Sequence, residues 1–289
     1  MASMNIGLMF ANSGPFADPQ LFAHLAQTAE RCGFESIWTV EHVVIPKDYK
    51  SPYPYSRSGK IPGPEDVAIP DPLLPLAFAA AITKNLKLGT GVLILPQRHP
   101  LYVAKETATL DLLSNGRLLL GIGSGWLEEE FQALGLDFHQ RGRRTDEAIQ
   151  SLRALWSDGA SMFHGKHFNF GPVQCFPKPV RKTGVPIIIG GHSPAAARRA
   201  GRYGDGFFPA IGEPPKLKEL FAMMTAEAKK AGRNAAAIEL SCMGRAKLDA
   251  IKAVQDVGVT RVVVAPPGHD KDGITRGLET LANEVIAKL

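Results

Sequence analysis

Short apolar runs alternate with amphipathic stretches along this chain. The runs Asn5–Phe10, Ser36–Val40, Leu86–Thr90, Leu118–Ile122, Pro186–Gly190, Gly206–Pro209, Ile238–Cys242 and Arg261–Ala265 are predicted strands. Several are bounded by Gly, as parallel strands covered on both faces are. Between them lie helical stretches: Pro19–Cys32, Leu73–Thr83, Leu101–Leu113, Arg143–Trp156, Ala195–Tyr203, Leu217–Ala231, Lys247–Val257 and Ile274–Leu289. Gly33, Gly232 and Gly258 mark helix stops. Eight βα units in 289 residues predict an α/β chain folded as one (β/α)8 TIM barrel domain over residues 1–289. A doubly wound sheet is the competing architecture.

Two segments interrupt the alternation. Pro46–Pro72, after strand two, is proline-rich and carries Tyr49, Tyr53 and Tyr55. A long loop on the catalytic face of a barrel is expected to act as a substrate lid, with Tyr53 and Tyr55 lining the substrate pocket; a disordered loop is the plainer reading. Ser161–Lys182 contains SMFHGKHFNF, which predicts a small hairpin inserted before strand five.

Composition narrows the picture. Hydrophobic residues make up 45% of the chain, enough for a full core. The net charge of +5 is mild and no Lys/Arg block of nucleic-acid type occurs, so no nucleic-acid partner is expected. Cys32, Cys175 and Cys242 form no CxxC pattern, which fits a reducing compartment and implies no zinc site. MASMNIGLMF lacks a signal-peptide pattern, and no apolar run approaches the ~20 residues needed to span a membrane. A cytoplasmic protein is expected.

The strand ends carry the candidate chemistry. Strand two ends in WTVEHV, placing Glu41 and His42 at its carboxyl end. His is the usual proton donor or acceptor near neutrality; a hydrogen-bonded structural His is the alternative. LKLGTGVLILPQRHP and NGRLLLGIGSGW end in glycines, which would let a ligand approach the backbone. Strand five runs into Gly190-Gly191-His192-Ser193 and a helix start, the arrangement in which N–H groups face an anion. Ser193 is the expected N-cap and Pro194 the first helical residue. An ordinary turn with a good cap has the same sequence.

In order, WTVEHV, LGTGVLILPQRHP, LSNGRLLLGIGSGWLEEEF, the FHGKHFNF hairpin and PIIIGGHSPAAARRAGRYGDGF resemble the luciferase-like monooxygenase superfamily, above all its coenzyme F420-dependent oxidoreductases. The resemblance covers nearly the whole chain and implies a barrel with an insertion before strand five. It further implies a (deaza)flavin ring across the barrel mouth, buttressed by a cis peptide at Gly91-Val92 after Thr90. Gly123 and Ser124 would flank the ring. Gly190, Gly191, His192 and Ser193 would bind the cofactor phosphate. His42 would sit by the reactive face, with Glu41 orienting it, and a homodimer is expected.

One departure stands out. Deazaflavin sugar-phosphate dehydrogenases of this family carry a catalytic Glu where this chain has Trp126, which argues against the same reaction. Trp126 is expected to cover the ring or fill the core. Glu128, Glu129 and Glu130 read as the acidic first turn of a helix. Arg141, Arg144 and Glu147 read as ion pairs at a helix start. The expectation is hydride transfer between F420 and a small organic substrate. Alternatives are an FMN-dependent monooxygenase, a deazaflavin-binding protein without turnover, or an unrelated phosphate-binding barrel. Arg181, Lys182, Arg198, Arg199 and Arg202 lie near the phosphate loop and suit the acidic tail of F420.

Overall fold

The computed structural model describes residues 4–64 and 66–289; Met1–Ser3 of the N-terminal segment and Glu65 of the proline-rich loop lie outside the described residues. The strands are β1 (Asn5–Leu8), β2 (Ser36–Thr39), β3 (Lys87–Thr90), β4 (Leu93–Ile94), β5 (Leu118–Gly123), β6 (Ser161–His164), β7 (Asn169–Val173), β8 (Ile187–Gly190), β9 (Gly206–Phe208), β10 (Glu239–Met243) and β11 (Arg261–Val264). The helices are α1 (Pro19–Arg31), α2 (Leu73–Ile82), α3 (Pro100–Leu113), α4 (Glu128–Ala133), α5 (Arg141–Trp156), α6 (Pro194–Tyr203), α7 (Pro214–Lys230), α8 (Leu248–Gln255) and α9 (Lys271–Glu284).

Parallel pairing runs β3-β2-β1-β11-β10-β9-β8-β5, and β5 pairs back to β3, so eight strands close a barrel. Each predicted strand lies within it with ends moved by a residue or two; β5 extends one residue to Gly123 and β10 shifts one residue to Glu239–Met243. Short β4 adds to β5 at the mouth, with Ile94 beside Gly123. The predicted hairpin is present as antiparallel β6 and β7 before β8. Glu147 of α5 holds its turn by accepting the backbone N–H groups of Lys166, His167 and Phe168.

Two apolar layers form because each strand is buried on both faces. The outer layer joins strands to the ring of helices. The inner layer consists of Met9, Trp38, Leu119, Ile188, Phe208 and Val263. Trp38 is fully buried, and its indole fills space that side chains would otherwise claim: a Cβ at Gly89 would come 2.5 Å from Trp38 Cδ2. Phe208 packs edge-on against it at 5.2 Å between centroids.

At the amino ends of the strands Arg261 closes the barrel. Its side chain is fully buried, with Nε and Nη2 donating to Glu35 at 2.8 and 2.6 Å and Nη1 paired to Glu239. Its guanidinium lies 5.7 Å from the Trp38 ring. A buried arginine needs such partners, because an unpaired charge there would be prohibitively costly.

Candidate active site

The opposite, carboxyl rim gathers most of the polar side chains singled out from sequence. β2 runs straight into Val40, Glu41 and His42, so its end delivers the acid and the imidazole to the rim. Asn12 fixes this turn: its Nδ2 donates to Val40 and Pro70 carbonyls and its Oδ1 accepts from Val40 N.

The two residues have different partners. Glu41 does not face His42. It accepts from Arg98 Nε at 2.8 Å and from the backbone N–H of Ile94, while Arg98 also donates to Asp71 at 2.6 Å. Burial raises the Glu41 carboxyl and opposes the Arg98 charge, but Glu41 and Asp71 outweigh that opposition and raise the Arg98 pKa. Two guanidinium N–H groups on one carboxylate favour the ion pair, so Glu41 is ionised and serves as a brace between β2 and the start of α3. The expected Glu41–His42 pairing is replaced by Glu130. His42 Nδ1 lies 3.2 Å from Glu130 Oε2, and Glu130 Oε1 accepts from the N–H of Val43 at 2.7 Å.

The acidic triplet does open a helix, α4, but two of its members do more than complement the dipole. Glu129 Oε1 accepts from Lys50 and Ser51 N–H, fastening the start of the proline-rich loop. Although burial works the other way, the hydrogen bonds from Ser51 and Lys50 hold its carboxyl down at about 2. Arg98 went unassigned in sequence, and Glu129 and Glu130 were read only as dipole partners, because their side-chain partners lie dozens of residues away.

The loop lies over the mouth. Trp126 receives His42, Tyr49 and Tyr53 edge-on, with centroids 5.7, 5.7 and 5.1 Å away. Tyr53 packs on Tyr55 at 5.3 Å, and Tyr55 on His192 at 5.2 Å. An unbroken aromatic row thus joins β2, the loop and the β8 end. Burial, with smaller effects of Tyr55 and Tyr49, pushes the Tyr53 phenol up to about 12.

Below this row, the Gly91–Val92 peptide is cis. The glycines around it serve a purpose that was not foreseen. A Cβ on Gly123 would come 2.5 Å from Val92 Cγ2, and one on Gly190 would strike Val92 Cγ1. The room those glycines leave is taken by Val92 rather than held open for a ligand. Thr90 Oγ1 donates to Gly121 O at 2.6 Å inside the wall, and Ser124 Oγ meets Thr145 Oγ1 at 3.2 Å.

After β8, Ser193 caps α6 by accepting from Ala196 N, with Pro194 in the first turn. Gly191 has φ +107°, a conformation that disfavours side chains, and donates to Phe208 O. Among the described residues, no acceptor takes the N–H of His192 or Ser193, and buried His192 Nδ1 also lacks a partner. Burial, reinforced by Lys216, lowers the His192 pKa. Unspent donors at the start of a ten-residue helix fit an anionic group such as a phosphate.

The basic residues sort differently. Arg199 is spent on Asp146, and Arg202 faces Asp146 and Glu227. Arg181 bonds to Gly116 O. Arg141, Arg144 and Glu147 do not pair with one another: Arg141 donates to Gly125 and Phe138 carbonyls and covers the Phe138 ring, and Arg144 donates to Pro96 O. Among the described residues, no cluster of three or more His, Cys, Asp or Glu could hold a metal, and no helix is long and apolar enough to cross a membrane.

A family model described as luciferase-like monooxygenase matches residues 7–253. An F420-dependent glucose-6-phosphate dehydrogenase of Amycolatopsis mediterranei is 31% identical over 222 residues, 75% of this chain and 60% of that protein. An F420-dependent secondary alcohol dehydrogenase, solved with an F420-acetone adduct, superposes with a TM-score of 0.78 at 19% identity over 99% of both chains. The oxygenating constituent of 3,6-diketocamphane monooxygenase from Pseudomonas putida, solved with FMN, gives 0.75 at 18% identity over 100% of this chain and 99% of that one.

Proposed function

Because the chain belongs to the luciferase-like monooxygenase family, we propose that it is an F420-dependent oxidoreductase that transfers a hydride to or from a small organic substrate at the rim between His42 and His192. The observation that carries this reading is the His42–Glu130 pair, set beside Trp126 at the mouth of the barrel. The deazaflavin supplies the hydride chemistry; the protein supplies orientation, exclusion of water and a proton-transfer group.

The residues present suit such a cofactor. The N–H groups of His192 and Ser193, with His192 Nδ1, would hold its phosphate. Gly91-Val92, Gly123 and Ser124 would support its ring. Glu130 accepts from His42 Nδ1, which fixes the tautomer and leaves Nε2 to take or give a proton at the substrate. Tyr49, Tyr53, Tyr55 and Trp126 would exclude water once substrate is bound. Glu41 acts at one remove, through Arg98, by holding the β2 end in place.

FMN would use the same rim, so titration with F420 and with FMN, read by fluorescence, tests the assignment. Preferential F420 binding is expected. Preferential FMN binding would move the reading to an oxygen-using monooxygenase, and binding of neither would overturn both. His42→Ala should keep F420 binding and lose turnover; F420 binding without turnover on any substrate would instead identify a carrier. We further place this enzyme in the cytoplasm, which suits its three free cysteines, and as a homodimer.

A further inference from the structure

We propose that the substrate is an uncharged, largely apolar molecule carrying a neutral oxygen, and that Trp126 with Tyr53 sets this preference. The inference rests on reading the barrel mouth as the active site. Three aromatic rings converge on Trp126 there, His42, Tyr49 and Tyr53 edge-on, with Tyr55 and His192 continuing the row. Such a surface stabilises apolar rings and chains by burial and has nothing to repay the desolvation of a dianion.

Three cations on the Trp126 side of the row are already engaged, whereas Lys216 lies toward its His192 end. Lys60 Nζ donates to Tyr49 O and lies 4.0 Å from the centroid of that tyrosine's ring. Arg98 is bound to Glu41 and Asp71, and Arg141 to carbonyls and the Phe138 ring. Of the carboxylates, Glu130 is occupied by His42 and Val43 and Glu129 Oε1 by loop N–H groups, while Glu129 Oε2 has no partner among the described residues.

Apart from the His42 and His192 imidazoles and the Trp126 indole N–H, the polar groups of the row are phenols. Tyr49 Oη accepts from Ile61 N, whereas the Tyr53 and Tyr55 hydroxyls bond to nothing among the described residues. Tyr53 is the more buried of the two, and burial raises its pKa, so it stays a protonated donor. A neutral alcohol or carbonyl oxygen suits such a donor, whereas a phosphate or carboxylate beside Trp126 and Tyr53 would meet a phenol rather than a cation.

F420 loading is recorded first, by fluorescence; the loaded protein is then titrated calorimetrically with benzyl alcohol and with glucose 6-phosphate. Benzyl alcohol should bind at least about tenfold more tightly, the expected penalty for an unpaired dianion in an aromatic site. Trp126→Glu and Tyr53→Ala should weaken benzyl alcohol binding, and Trp126→Phe should keep it. Equal or tighter glucose 6-phosphate binding overturns the proposal, as does absence of benzyl alcohol binding. If F420 fails to load, the cofactor assignment falls, and the same two titrations on the unloaded protein decide the substrate class separately.

Discussion

His42 and Glu130 stand 88 positions apart in the chain, yet their side chains meet at 3.2 Å, Nδ1 to Oε2, on the rim of the barrel. The carboxylate is almost wholly buried and also ties down the N–H of Val43. Glu130→Gln retains the shape and removes the charge that orients the imidazole. A fall of about tenfold to a hundredfold in kcat is expected, with KM and F420 affinity nearly unchanged. A purely structural Glu130 would instead lower Tm and leave kcat of the folded fraction intact.

The Val92 notch makes a second, quantitative prediction. Gly123→Ala pushes a methyl into Val92 Cγ2 and should cost about 1–3 kcal/mol in denaturant unfolding, along with weaker F420 binding. Trimming the neighbour in Gly123→Ala/Val92→Ala should recover part of that loss. A double-mutant cycle with no coupling would show that Val92 does not occupy the notch.

Acid should attack the amino-terminal plug. Glu35 is held down at about 2, because the hydrogen bonds and charges of Arg261, with Lys87, outweigh the effect of burial. A depressed carboxyl contributes stability that is full above its unfolded value of 4.5 and is lost as pH falls toward about 2. At most about 3 kcal/mol is at stake. Glu35→Gln should be less stable than the wild type at pH 7 and should lose less on acidification through that window, followed by urea midpoints.

The proposed homodimer has a candidate face. Leu74 and Phe78 of α2 are exposed, as are Tyr102, Leu112 and Leu113 of α3, the last at 65%. Exposed apolar side chains on two packed helices are the kind of surface that association covers. Leu113→Lys combined with Leu74→Lys should yield monomers in sedimentation at micromolar concentration while leaving the unfolding midpoint of the barrel largely unchanged.

The barrel was readable because each strand is a short apolar run with a sharp boundary, and because each helix stop at Gly33, Gly232 or Gly258 is local chemistry. The cap at Ser193 was readable for the same reason. What joins the rim was not. Arg98 meets Glu41 across 57 positions, and Glu130 meets His42 across 88; no periodicity encodes such pairings. The glycines were only half legible. Their lack of a side chain was visible, but whether ligand or protein fills the space depends on where Val92 lies, and that is a property of the closed barrel.

Trp38 and Arg261 together make the barrel axis solid. The enzyme is therefore a room with one door. On the proposed assignment, cofactor, substrate and any proton exchanged at His42 would share the carboxyl rim, with the tyrosine-bearing loop as its threshold. The ligand seated deeper would then enter first and depart last, an order in which cofactor precedes substrate and product clears the way for cofactor.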